Sequence, residues 1–158
     1  MIFVTVGSQK FPFDRLIKKV DQMVREQLLA EEVFIQTGTS RYVPACRHQA
    51  FCEPELFAQW MEDCTVLITH GGAGTMVDAV KRGKKTVVVP RLARYGEHVD
   101  DHQMELAMRL QELNLLRVCP DVELLPEVLG DLNAHNFQAF HSNTETFLAS
   151  LDGYIRSL

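Results

Sequence analysis

The chain has 158 residues, of which 46% are hydrophobic and 23% charged, and its formal net charge at pH 7 is -5. This length and composition suit a single globular domain with a substantial core. The net negative charge argues against nucleic acid as a partner, and no stretch approaches the roughly 20 apolar residues that a membrane-spanning helix needs.

The N-terminal segment and the cysteines indicate the compartment. The apolar start of the chain has no basic residues before it and runs directly into Gly7, so we expect a strand there and no signal peptide. The four cysteines are scattered without a C-x-x-C pair, which favours reduced, packed thiols over disulfides or a zinc site. We therefore predict a cytoplasmic protein.

The first half of the chain alternates predicted strands and helices. Residues 2–6 and 33–36 are short apolar runs typical of buried strands. Between them a helix is predicted from Phe13, because apolar residues recur at helical spacing and polar residues, Asp21 among them, fill the opposite face. Its expected core positions are Leu16, Ile17, Val20, Met23, Val24 and Leu28.

A loop over residues 41–48 and a weak strand at 49–52 are expected next. A helix then begins at Pro54, because proline suits the first helical turn. Its predicted core stripe is Leu56, Phe57, Trp60 and Met61.

The second half predicts strands at 66–69, 85–90 and 116–119. The β-branched run at 85–90 is typical of a parallel strand that is covered on both faces. Helices are predicted from about Ala73 to Gly83, over residues 104–113 and over 124–129. Residues 143–158 predict a further amphipathic helix, which either packs on its own sheet or docks on a partner chain.

This alternation predicts an α/β fold: a Rossmann-like, three-layer parallel sheet with helices on both faces, forming one domain over residues 1–158. The loops at 7–12, 37–40, 70–75 and 90–103 all follow strands, so all lie at the carboxyl edge of the sheet. Ligands bind at that edge in such folds. We therefore predict one shared site.

The glycine-rich loop after the strand at 66–69 predicts a phosphate site. Gly71, Gly72 and Gly74 let the backbone approach a ligand closely, and the helix that begins near Ala73 directs its unpaired N–H groups and positive dipole end toward it. Asp78, one turn further on, is placed to accept hydrogen bonds from a ribose diol. The alternative for the glycine-rich loop is a tight turn that serves only strand-to-helix packing. The alternative for Asp78 is an ordinary carboxylate on the surface of a helix.

Other polar residues of these loops leave alternatives open. His70 is placed to orient its loop, contact a ligand, act as a base, or serve a structural role. His98 and His102 are spaced i, i+4, but the segment lacks the H-E-x-x-H pattern of zinc-binding helices, so no metal site is predicted. Lys10, Arg91 and Arg94 lie in loops of the same edge, where their charges would neutralise a diphosphate.

The segments at 69–79, 88–90 and 101–103 resemble the nucleotide-sugar-binding, C-terminal half of GT-B glycosyltransferases of family 28. Nearly the whole chain shares the likeness, including the start at residues 1–7 and Phe13-Asp-Arg-Leu-Ile17. Within that family it is similar to the small catalytic subunits of two-component UDP-sugar transferases of dolichol-linked oligosaccharide and of bacterial capsule and exopolysaccharide synthesis.

The resemblance implies roles for particular residues. Gly7 and Ser8 would lie near the donor diphosphate, and Asp78 would hold the ribose. His70 and His102 are the candidates for a catalytic base. The predicted phosphate-facing segment comprises Gly71, Gly72, Ala73, Gly74 and Thr75, and the predicted donor-sugar contacts are Asp101, His102 and Gln103.

The implied activity is transfer of a sugar from a UDP-sugar to a lipid-diphosphate-linked acceptor at the inner face of a membrane, with no cofactor. Because the chain starts at the first strand of the donor half, a separate membrane-anchored acceptor-binding subunit is expected. The alternative is a non-catalytic sugar-nucleotide-binding or activating subunit. The sequence leaves open the donor sugar and whether the isolated chain forms a homodimer.

Overall fold

Six parallel strands form one sheet in the computed structural model, which describes residues 1–8, 10–97 and 102–138. The strand order is β3-β2-β1-β4-β5-β6, and every neighbouring pair is parallel. The strands are β1 (Ile2–Thr5), β2 (Val33–Gln36), β3 (Arg47–Gln49), β4 (Val66–Thr69), β5 (Lys85–Val88) and β6 (Arg117–Val118). The predicted Rossmann-like α/β sheet is confirmed.

Helices cover both faces of this sheet. They are α1 (Asp14–Arg25), α2 (Pro54–Asp63), α3 (Ala73–Lys81), α4 (His102–Glu112) and α5 (Leu125–Leu132), with short 3-10 helices at Ala93–Tyr95 and Val122–Leu124. Successive strand residues point to opposite faces. One face buries Val4, Ile35 and Ile68 under α1 and α5, and the other buries Phe3, Phe34 and Leu67 under α2 and α3. This two-sided burial explains why the central strands are apolar without interruption.

Several predicted core positions are wrong where a helix ends earlier or turns a residue outward. Helix α1 ends at Arg25, and Gln27 adopts a positive φ of 57°, so Leu28 lies beyond the helix with 55% of its surface exposed. Leu56 in the first turn of α2 and Leu113 after α4 are also exposed rather than buried. The remaining predicted positions of the α1 stripe are buried or half-buried.

The connection from β2 to β3 contains no helix in its described residues 37–46. Two aspartates on α1 hold it instead. Asp14 Oδ1 accepts hydrogen bonds from the backbone N–H groups of Arg41 and Tyr42 at 2.8 and 2.9 Å. Asp21 accepts from the Tyr42 hydroxyl at 2.5 Å and from the Ala45 N–H at 2.9 Å. The expected loop is therefore present, but β3 begins at Arg47, two residues before the predicted strand.

Asp21 is also the clearest error in the helical pattern, because it is buried and not on the polar face. Burial by itself would raise the pKa of its carboxyl group. The hydrogen bonds from Tyr42, Ala45 and Cys46, with the charge of Arg25, outweigh that effect and hold the pKa below the ordinary 3.8. The group is therefore an ionised carboxylate at neutral pH.

Candidate functional site

The strand order places a crevice between the carboxyl ends of β1 and β4. The chain leaves β1 toward β2 on one side and returns to β4 on the other, so the connections diverge at this point. In open parallel sheets such a switch point is where ligands bind. The loops that begin at Gly7 and at His70 form the two sides of this crevice.

The two loops are in close contact through an imidazole ring. A Cβ on Gly7 would lie 2.6 Å from Nε2 of His70, and a Cβ on Gly72 would lie closer still to the same atom. Real Cβ atoms do not approach other atoms so closely. Gly7 also has a φ of +76°, which favours glycine independently. Both positions therefore require glycine while His70 occupies the space between them.

His70 is buried beneath these loops, with 4% of its surface exposed. Its ring Nδ1 lies 3.2 Å from the Thr69 hydroxyl, and its backbone N–H donates to the Thr5 carbonyl at 3.2 Å. The structure thus brings His70 together with Gly7 and Gly72, as the converging loops predicted. Its role as an orienting group or as a base stays a prediction.

The N-terminus of α3 opens at the same crevice. The helix begins at Ala73 after an extended Gly72, and within the described residues no side chain caps it. The N–H groups of Ala73, Gly74 and Thr75 have no acceptor within the helix, because first-turn donors lack a preceding carbonyl. Gly74 is exposed, and a Cβ there would meet nothing within 4 Å. An anion placed here would receive backbone hydrogen bonds and the favourable end of the helix dipole.

The amide side chain of Gln36 fixes the loop after β1. Its Nε2 donates to the carbonyls of Gly7 and Ala50 at 3.0 and 2.7 Å. Its Oε1 accepts from the Gly7 N–H at 3.2 Å and from the Thr5 hydroxyl at 2.5 Å. The backbone N–H and carbonyl of Gly7 are thus bonded within the protein. Gly7 would therefore make room for a ligand through its small size rather than bind it by hydrogen bonds. We did not predict this role, although a glutamine ending an apolar strand was a signal.

Asp78 lies on α3, where its carboxylate is held by an arginine. Its Oδ1 accepts from Nε of Arg82 at 3.0 Å, and Nη1 of Arg82 also pairs with Glu62 at 2.9 Å. The hydrogen bond that Arg82 donates to Asp78 is the main reason that the pKa of Arg82 is raised. The Asp78 side chain is 43% exposed. Its predicted contact with a ribose stays a prediction.

Arg91 is buried and does not face the mouth of the crevice as expected. Only 1% of its surface is exposed, and its guanidinium donates to three backbone carbonyls, those of Val6, Phe11 and Glu97. Burial lowers its pKa to about 10, against the opposing effect of Glu97, so it stays protonated at neutral pH. Arg94 and Lys10 are exposed, beside the rings of Tyr95 and Phe11 respectively.

The predicted donor-sugar contacts are placed only in part. Asp101 and His98 lie outside the described residues. His102 and Gln103 begin α4, and their side chains also lie outside the description. The predicted helix at 143–158 lies beyond the last described residue, 138.

The described residues contain no group of three or more His, Cys, Asp or Glu side chains that could hold a metal ion. The cysteines are free thiols, and Cys119 is buried deeply enough to raise its pKa to about 11. Among the described helices, none is both long and apolar enough to cross a membrane.

The family follows from a comparison with known proteins. A model of the glycosyltransferase family 28 C-terminal domain matches residues 1–154. The chain belongs to this family. The nucleotide-sugar site that the sequence indicated at the glycine-rich start of α3 stays a prediction.

Three proteins of known name are similar to this chain in sequence or in fold. The chain is 28% identical over 127 residues to mouse "UDP-N-acetylglucosamine transferase subunit ALG13", which covers 74% of this chain and 10% of the mouse protein. Among solved structures, Acinetobacter baumannii MurG has a TM-score of 0.59 and 20% identity, over 82% of this chain and 40% of MurG. The glycotransferase of kitacinnamycin has a TM-score of 0.61 and 18% identity, over 99% of this chain and 39% of that one. The chain therefore spans less than half the length of each of these three proteins.

Proposed function

We propose that this chain is the donor-binding, catalytic subunit of a two-component glycosyltransferase. It would move a sugar from a UDP-sugar to a polyprenyl-diphosphate-linked acceptor in bacterial polysaccharide synthesis. The observation that carries the proposal is the contact of His70 with Gly7 and Gly72 in front of the N-terminus of α3, in a chain of glycosyltransferase family 28. That arrangement offers a compact, backbone-lined cradle for a diphosphate.

The donor would lie across the carboxyl ends of β1 and β4. The N–H groups at Ala73, Gly74 and Thr75 would bind the diphosphate, which Gly7 and Ser8 would border from the other side. Asp78 would accept hydrogen bonds from the ribose after releasing or sharing Arg82. The segment 101–103 would contact the sugar, and UDP-galactose, UDP-glucuronate and UDP-N-acetylglucosamine are all donors to test.

The reaction we propose is a metal-independent transfer with inversion. A hydroxyl of the acceptor attacks the anomeric carbon of the sugar, the bond from that carbon to the β-phosphate oxygen breaks, and UDP leaves with the electron pair. A base takes the hydroxyl proton, with His70 and His102 as candidates. The first turn of α3 would stabilise the charge that develops on the departing phosphate. Removal of one such donor costs roughly 3 kcal/mol in other enzymes.

A partner subunit would hold the acceptor. The mouse relative is named as a transferase subunit, and its similarity to this chain is the support for a two-component assembly. We propose a membrane-anchored partner that brings the chain to the cytoplasmic face of the membrane. Weak or no transfer by the isolated chain is then expected.

Titration calorimetry of the purified chain tests the donor site. UDP and the three UDP-sugars are titrated in magnesium and, separately, in EDTA. We expect UDP to bind with equal affinity in both buffers. We also expect the three UDP-sugars to differ in affinity, with the preferred one binding more tightly than UDP. Absence of binding at millimolar UDP, both alone and with a co-purified partner, would contradict the proposal.

Transfer assays with the partner separate a catalytic from an activating role. Asp78→Ala and His102→Ala are expected to abolish transfer while the assembly remains intact. If both variants transfer the sugar normally, the chemistry belongs to the other chain, and this chain is a non-catalytic activating subunit.

A further inference from the structure

The guanidinium group of Arg91 bridges two loops of the crevice. Its Nη1 donates to the Phe11 carbonyl at 2.7 Å and to the Glu97 carbonyl at 3.1 Å, and its Nη2 donates to the Val6 carbonyl at 2.6 Å. Val6 and Phe11 enclose the loop after β1, whereas Glu97 belongs to the loop after β5. One side chain therefore holds both ends of the first loop against the second.

Arg15 and Glu97 extend this connection. Nε and Nη2 of Arg15 donate to the two carboxylate oxygens of Glu97 at 3.0 and 2.9 Å, a bidentate pair. Arg15 also donates to the carbonyls of Pro90 and Pro120, and Glu97 accepts from the Leu92 N–H at 3.1 Å. The loop after β5 is thus fixed to α1 as well as to the loop after β1.

The ring of Phe13 lies close to both guanidinium groups. Cζ of Arg91 lies 5.0 Å from its centroid, and Cζ of Arg15 lies 5.4 Å from it. Both distances are within the range of a cation–π contact. Phe13 is fully buried, so these contacts stabilise the cations where water does not reach the ring.

Packing alone does not account for an arginine at this position. A buried cation is costly, and the Nε of Arg91 has no hydrogen-bond partner among the described residues. An apolar side chain would fill the core at lower cost. The planar fork of the guanidinium, in contrast, directs several donors at once to carbonyls from separate segments. Its particular contribution is therefore the relative position of the two loops.

We propose that Arg91 is a positioning residue of the donor site. It fixes the loop of Gly7 and Ser8, on the diphosphate side, relative to the loop that leads to residues 101–103, on the sugar side. This inference rests on the proposed function for its effect on donor binding. Its structural part, the coupling of the two loops, is independent of any ligand.

Hydrogen exchange of the Arg91→Lys variant tests the coupling. Lysine keeps the positive charge, but its single ammonium cannot reach all three carbonyls. We expect amides within 6–11 and 92–97 to exchange at least fivefold faster, with little change elsewhere. The matched control is Asp21→Asn, because Asp21 is equally buried but holds residues 41–46 to α1. Its faster exchange should be confined to 41–46.

Glu97→Gln provides a second variant if Arg91→Lys does not fold. It keeps the acceptor for the Leu92 N–H and weakens the pair with Arg15, so faster exchange is again expected within 92–97. Unchanged exchange in both loops, or an equal increase over the whole chain, would overturn the proposed coupling.

Titration with UDP and UDP-sugars tests the consequence for binding. Arg91→Lys is expected to weaken binding of the preferred UDP-sugar at least tenfold and to reduce its advantage over UDP, whereas Asp21→Asn binds as the wild type does. Equal affinities in Arg91→Lys and wild type would overturn the positioning role. If the wild type itself binds no UDP, the proposed function fails, and hydrogen exchange then decides the coupling by itself.

Discussion

Nε2 of His70 lies 2.6 Å from the point that a Cβ on Gly7 would occupy. The residue that follows β4 thus limits the size of the residue two positions after β1. Because these strands flank the switch point of the sheet, the same contact determines how closely the two loops approach each other. The geometry of the crevice therefore depends on a glycine and a histidine that are 63 positions apart in the sequence.

Gly7→Ala should destabilise the protein more than strain alone explains. A positive φ costs a non-glycine residue about 1–2 kcal/mol, and overpacking against His70 adds about 1–3 kcal/mol. Gly83→Ala is the matched control, because Gly83 has a similar φ of +68° but open space around its Cβ position. Urea unfolding should show a clearly larger loss for Gly7→Ala. Adding His70→Ala should recover part of that loss, and strictly additive effects would contradict the contact.

The two glycines around the start of α3 should respond differently to alanine. Gly72→Ala meets the His70 ring and should lower the free energy of unfolding by about 1–3 kcal/mol. Gly74→Ala meets nothing within 4 Å and should be neutral or stabilising by up to about 1 kcal/mol, since alanine favours the helix.

Gly74→Val should retain the fold and reduce UDP affinity. A Gly74→Val variant with normal fold and normal UDP affinity would exclude Gly74 from the site.

Gln36→Leu should disturb the loop after β1. The substitution leaves the Gly7 carbonyl and the buried Thr5 hydroxyl without their partner, and each buried unsatisfied group costs about 1–3 kcal/mol. Chemical unfolding should show a loss of several kcal/mol. Gln59→Leu is the control, because Gln59 bonds only to Asp63 on the exposed side of α2. Equal stability of the two variants would argue against the role of Gln36.

Asp78→Ala should leave folding nearly unchanged and impair nucleotide binding. The pair with Arg82 is partly exposed and contributes about 1 kcal/mol or less to stability. If Asp78 binds the ribose, the wild type should prefer UDP to 2′-deoxy-UDP, and Asp78→Ala should lose that preference. Calorimetry with both nucleotides measures it. A preference that survives in the variant would exclude a 2′-hydroxyl contact.

Asp21 should contribute stability that depends on pH. Its folded-state pKa is below 3.8, so its contribution is present above that value and is lost as the pH falls through the lowered pKa. Asp21→Asn should therefore cost about 2 kcal/mol at pH 7, from weakened buried hydrogen bonds. The difference between wild type and variant should shrink below pH 3.8. Urea unfolding at several pH values checks this, and a constant difference would contradict it.

The sequence predicts the parts of this fold that arise from local pattern. Val33–Gln36 and Val66–Thr69 have the predicted bounds, since apolar runs between turn residues mark buried parallel strands. The start of α3 is also correct, because glycines before an apolar helical stripe mark a helix N-terminus. The family resemblance, carried by the same loop, is confirmed by the family match.

The errors concern polar residues whose partners are distant in sequence. Asp21 matches the polar face of an amphipathic helix, but a tyrosine 21 positions later brings it into the interior. Arg91 follows an apolar strand like many mouth residues, but its acceptors include carbonyls 80 and 85 positions away. Helical periodicity reports the average environment of a face. It does not report hydrogen-bond partners that only the folded chain brings together.

Amide chemical shifts of the isotope-labelled chain during titration with UDP in EDTA test the central claim most directly. We predict that the largest changes occur at Gly7, at His70 and over residues 71–75, with smaller changes in 92–97. Such a map would place the diphosphate at the switch point between β1 and β4. Saturable binding with its largest changes elsewhere, for example along the exposed edge strand β3, would contradict the account.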